Sequence, residues 1–152
     1  MPMPTLSRRK GSTETKPVSN SGIWIRAGHY DPEFKTAVSA EIAELKCLNN
    51  GWDGYGAPPI NREIIAAACR LIRNLPESLA YRPRVVPMST GNLQLEWHAG
   101  QKLLELEFES AQAVHFLQWD PDRDVEEEGV FPVTDEEKAV ELIQWFMSGT
   151  CI

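Results

Sequence analysis

Cysteine is scarce in this chain of 152 residues and forms no pattern. Cys47, Cys69 and Cys151 are odd in number, widely spaced and without a C-x-x-C pair. That argues against a disulfide framework and fits a reducing cytoplasm. Long apolar runs are also missing. No stretch reaches the roughly 18 apolar residues of a membrane span, so no membrane association is expected. The basic Arg8-Arg9-Lys10 is followed by no apolar segment, which excludes a secretory signal at this position. Only three histidines are present, and there is no G-x-S-x-G, H-E-x-x-H, H-x-H or phosphate-loop lysine motif. A catalytic centre has little to draw on. The expectation is no catalytic residue, no metal and no cofactor.

Positive charge is the next shortage. Net charge is −7, and it is unevenly spread. Residues 1–20 carry Arg8, Arg9, Lys10 and Lys16 against Glu14, a balance of +3, so the remainder sums to −10. Asp120, Asp122, Asp124, Glu126, Glu127, Glu128, Asp135, Glu136, Glu137 and Glu141 face only Arg123 and Lys138. Such a body repels phosphate backbones, which argues against direct nucleic-acid binding and leaves room for a basic protein partner. Residues 1–20 are polar, and their few apolar groups cannot offset ordering entropy, so a disordered basic tail is expected there. Residues 21–152 read as one domain.

Within that domain the apolar period changes once. Residues 22–30 offer a short strand or a packing position for Trp24. Asp31, with Pro32 and Glu33 behind it, starts a first helix striped by Phe34, Val38, Ile42 and Leu45. Gly51 suits its left-handed cap. A second helix starts near Asn61, is striped by Ile64, Ile65, Ala68, Leu71, Ile72 and Leu75, and stops at Pro76. The period then falls to two. Residues 84–88 form a short run ending near Pro87, which suits a sheet edge. Leu93, Leu95 and Trp97 alternate with Gln94, Glu96 and His98, and Leu104, Leu106 and Phe108 alternate with Glu105 and Glu107. A turn at Ala99-Gly100 pairs Leu95 with Leu104 and Leu93 with Leu106. Residues 113–119 make a third strand in one of two registers: Val114 and Phe116 inward, or His115, Leu117 and Trp119 inward. Residues 120–129 read as a loop and 130–133 as a short edge strand. Thr134 and Glu137 form a capping box for a last helix striped by Ala139, Leu142, Ile143 and Phe146. The fold class is therefore α+β: two N-terminal helices, a three- to four-stranded antiparallel sheet, and a C-terminal helix on one sheet face.

Three features are candidates for function. The glycine-rich stretch Asn49-Asn50-Gly51-Trp52-Asp53-Gly54-Tyr55-Gly56-Ala57 joins two helices. Phosphate loops follow a strand and end in Lys or Ser/Thr, and Asp53 would repel phosphate. A tight corner, with Trp52 and Tyr55 over the helix ends and Asp53 accepting backbone N–H groups, accounts for it better. The second feature is the polar face of the hairpin, where Gln94, Glu96, His98, Glu105 and Glu107 stand together and His115 joins in one register. Polar residues are the ordinary content of a solvent-facing sheet surface, and such a face also suits docking. His29 with Asp31 reads as local capping.

The motif Trp52-Asp53-Gly54-Tyr55-Gly56-Ala57, a following helix and a strand carrying Glu96-Trp97 resemble a group of small uncharacterised bacterial and phage-borne proteins. The similarity covers about residues 40–110. Such proteins are often encoded on mobile elements, and the resemblance implies an antitoxin, immunity or anti-defence role. The tail and the acidic segment lie outside it. The expected function is a non-catalytic, neutralising protein-binding module. Its partner-binding residues are Trp52, Asp53, Tyr55, Glu96, His98, Glu105, Glu107, Asp122, Asp124, Glu126, Glu127 and Glu128. The alternatives are a small metal-dependent hydrolase on the polar sheet face and an acidic mimic of DNA.

Overall fold

Helix α1, Phe34–Glu44, and helix α2, Arg62–Asn74, pack together on one face of an antiparallel sheet and bury their apolar stripes there. The computed structural model describes residues 29–149, and the tail, Trp24 and Cys151 lie outside the described residues. Asn61 caps α2 as its sequence suggests, its side chain accepting from the Glu63 and Ile64 N–H groups at 2.8 and 3.2 Å. The start of α1 differs from expectation. Asp31 closes the turn before the helix, accepting from the Glu33 N–H at 3.0 Å, and helical geometry begins at Phe34. Gly51 does not cap α1 either. The helix tightens into a 3-10 turn, Leu45–Cys47, and Gly51 serves the corner beyond it.

Strand β1, His29–Tyr30, pairs with β2, Tyr81–Arg82, as a small separate ribbon. The main sheet is a meander of five strands, one or two more than expected: β3 Arg84–Pro87, β4 Leu93–Ala99, β5 Lys102–Phe108, β6 Ala113–Asp120 and β7 Val125–Pro132. The hairpin β4–β5 keeps apolar opposite apolar, but its partners shift. Leu95 meets Leu106, and Trp97 meets Leu104. The turn is Gly100-Gln101, not Ala99-Gly100. Gly100, at φ 61°, takes the first central position, where a II′ turn needs a positive φ. Moving the turn by one residue moves every pair by two, and a shift of two preserves the faces. In β6 the register with Val114 and Phe116 inward is the one adopted.

The larger departure is β7. Of the residues expected to be a loop, Pro121–Arg123 form a turn closed by Asp124 in the left-handed region, and 125–129 lengthen the expected edge strand into an eight-residue one, Val125–Pro132. Glutamate disfavours strands on average, but an edge tolerates it and gains protection from further pairing. Gly129 is required there, because a Cβ would lie 2.9 Å from the Phe116 ring.

Helix α3, Glu136–Met147, closes the core with Ala139, Leu142, Ile143 and Phe146. Its cap is Asp135, not Thr134: the Asp135 carboxylate accepts the Lys138 N–H at 3.1 Å. Its other end is fixed by the buried Lys102, whose ammonium donates to the carbonyls of Trp145 and Ser148 at 2.8 and 2.6 Å. A cation belongs at that end of the helix dipole.

Candidate binding face

The inward face of β4, β5 and β6 is consumed by packing. Leu93, Leu95, Trp97, Leu104, Leu106, Phe108, Val114 and Phe116 join the helices in one buried cluster, and the Trp97 indole donates to the Tyr81 carbonyl at 2.8 Å. Among the described residues the outward face belongs to no such cluster. Strand pairing sets it out in rows. One row runs Arg84, Glu96, Glu105, Leu117, Glu128; the next Val86, Gln94, Glu107, His115, Val130; the third His98, Leu103, Trp119, Glu126. The sequence thus predicted the shared face of Glu96, His98, Glu105 and Glu107 correctly, and His115 does join it. It left Leu117 and Trp119 open with the β6 register, and it did not place Arg84 or Val130 because the pairing of β3 with β4 and of β7 with β6 was not fixed. Val130 is 61% exposed and Trp119 36%.

Carboxylates in the middle of this face differ sharply. Glu96 is buried, which by itself would raise its pKa. Contacts from His98, Arg84 and Gln94 outweigh burial and bring the carboxyl down to about 2. Arg84 Nη2 donates to it at 2.6 Å and Gln94 Nε2 at 2.6 Å. Glu105, directly across the ladder, has no such donors among the described residues. Burial, then the charges of Glu96 and Glu107, push its pKa up. Beyond Glu105, Asn92 Nδ2 donates to Glu107 at 3.0 Å, and the His115 ring meets Glu128 at 2.9 Å. One ligand atom each from Glu107, Glu109 and His115 lie within 4.8 Å of one another.

The acidic segment is divided. Asp122 and Asp124 stand exposed in the β6–β7 turn, Glu126 and Glu128 extend the outward face, and Glu127 alternates to the other side.

The corner is built inward. Trp52 is half-buried against the core, and its indole donates to the Pro58 carbonyl at 2.8 Å. Asp53 accepts the N–H groups of Tyr55 at 2.8 Å and Ala57 at 3.1 Å, and those bonds lower its pKa. The Gly51 N–H bonds the Ala57 carbonyl, and the Gly54 N–H bonds that of Gly51. These N–H groups, which a phosphate would need, are already spent. Gly51, Gly54 and Gly56 all have φ near 80°, a region glycine occupies without strain. Only Tyr55, 93% exposed, presents a large side chain to solvent.

A groove of about 450 Å³ lies between α2, the β5–β6 loop and the β7–α3 connection, with Arg70, Gln112 and Thr134 in its wall. It shares no residue with the outward face described above. Comparison with known proteins finds no matching family, no matching curated protein and no matching solved structure.

Proposed function

We propose that the chain is a non-catalytic protein-binding module that docks a basic partner on the outward face of its sheet. One observation carries this reading: among the described residues, all three helices serve the inward face, while the outward one keeps Leu103, Leu117, Trp119 and Val130 among carboxylates. Apolar side chains with a charged surround are the composition of a protein interface, where aromatics anchor and charges steer. Glu105, Glu107, Glu126 and Glu128 outnumber Arg84 there, which favours a partner rich in Lys or Arg. The neutralising role, against a toxin or a nucleic-acid-handling enzyme, is suggested by the resemblance over about residues 40–110 and by the acidic body. Trp52 and Asp53 support the fold of the corner, and Tyr55 is its contribution to a contact.

The test is capture of partners by the tagged protein from its host's lysate, compared with a Trp119→Ser/Val130→Ser double variant. Both residues are exposed enough for the fold to survive, which a melting curve checks. A partner held by the parent and lost by the variant is the expected result. Equal capture would remove the outward face from the interface. Retention at high salt would mark apolar anchoring, and loss at high salt the charges.

A further inference from the structure

We propose that Glu107, Glu109 and His115 form a site for a divalent transition-metal ion at one end of the outward face. The sequence gives no metal motif because the ligands come from two strands, and the ladder brings them together. Glu107 and His115 are direct cross-strand partners, and Glu109 follows two residues after Glu107, on the same side by alternation. Their ligand atoms already lie within 4.8 Å of one another. Ligands bonded to one zinc ion at about 2.0–2.2 Å stand roughly 3.3 Å apart. The difference is a small side-chain rotation, and no strand needs to move.

The surroundings fit a metal. Glu107 is held by Asn92 at 3.0 Å and the His115 ring by Glu128 at 2.9 Å, so the two central ligands are steadied by neighbours, as outer partners steady metal ligands generally. Among the described residues neither Glu107 nor Glu109 makes an ion pair with Lys or Arg. A dication would neutralise two adjacent carboxylates that no side-chain cation neutralises. The donor set selects its guest. An imidazole with carboxylates suits zinc, nickel or cobalt, whereas magnesium and calcium prefer oxygen alone. Three protein ligands leave a coordination position open at the surface. The ion would cross-link β5 to β6 across the loop 109–112.

The experiment uses the full, untagged chain and ZnCl2 followed by calorimetry, with MgCl2 as the oxygen-preferring comparison. Variants are Glu109→Gln, which is exposed and spares the fold, His115→Ala, and His98→Ala as a second surface histidine outside the site. The expected result is saturable one-to-one binding of zinc, weakened at least about tenfold by either site variant and unchanged by His98→Ala. Binding should weaken on acidification, because protons compete with the metal for the same ligand lone pairs. Saturable binding that survives both site variants would overturn the proposal, as would equal binding of magnesium or no binding. Melting curves confirm that each variant is folded. Because the measurement needs no partner, its failure leaves the docking surface standing, and the reverse also holds.

Discussion

Leu106 and Leu117 lie on adjacent strands of one sheet, yet they belong to different chemistries. Leu106 faces the helices and is fully buried; Leu117 faces outward, in a row with Glu105 and Glu128. The same division runs through every residue of β4, β5 and β6. Inward positions hold aliphatic and aromatic side chains in close packing, with Lys102, Gln118 and Asp120 as buried polar exceptions. Outward positions hold carboxylates, two imidazoles and Gln94, with Leu103, Leu117 and Trp119 as the large apolar side chains among them. Burial is therefore not the difference, since Glu96 on the outward face is buried too. What differs is the partner: helices on one side, and neighbouring polar side chains on the other. A strand whose inward half satisfies the fold has its outward half free for recognition.

The corner repeats this contrast at a smaller scale and supplies a large expected effect. Trp52→Ala removes a half-buried indole and its bond to Pro58, and should cost about 2–3 kcal/mol, below the usual range for a fully buried Trp. Tyr55→Ala, two glycine-rich turns away from packing, should stay within about 0.5 kcal/mol. Urea unfolding of both variants checks the pair. Equal losses would mean that the corner is not divided between support and display.

A smaller effect separates two carboxylates of one row. Glu105 ionises against burial and against Glu96 and Glu107, so its folded pKa lies above the ordinary 4.5. Its favourable contribution is present below that pKa and is lost as pH rises through the raised value. Glu105→Gln should therefore stabilise the protein at pH 7, by about 0.2–1 kcal/mol for removal of like charges facing each other. The gain should vanish near pH 4. Glu96 has the opposite sign. Its folded value of about 2 lies below 4.5, so its contribution is present above 4.5 and is lost as pH falls toward 2. Unfolding curves across pH 2–7 should show Glu96→Gln losing stability at neutral pH and converging on the parent at the acid end. A destabilised Glu105→Gln at pH 7 would show that this carboxylate is paired after all.

Much of this was legible in the sequence, and the exceptions share a cause. Periodicity located all three helices, the inward residues of β4 and β5, and the polar face opposite them. The face was legible even where the pairing was not: the hairpin slipped by two residues, and an even slip returns each side chain to its own side. Two things hid. Helix caps were displaced by a neighbouring acceptor, as when Asp135 took the place of Thr134. The first half of β7 was hidden by its own glutamates, since an exposed edge needs few apolar residues and Phe131 is its one buried side chain. Starting the edge strand at 130 left Glu126 and Glu128 off the face, and with Glu128 the contact that holds His115. The Glu107–His115 pair depends on a loop whose length the sequence left open.

The central claim is that one face of the sheet holds the fold and the other does not. Equilibrium unfolding of Leu106→Ala and Leu117→Ala tests it with the same substitution on both sides. The expected result is a loss of about 2–5 kcal/mol for Leu106→Ala, the range for a fully buried leucine, and under about 1 kcal/mol for Leu117→Ala. Equal losses would contradict the account, because they would mean that the outward face is packed as a second core.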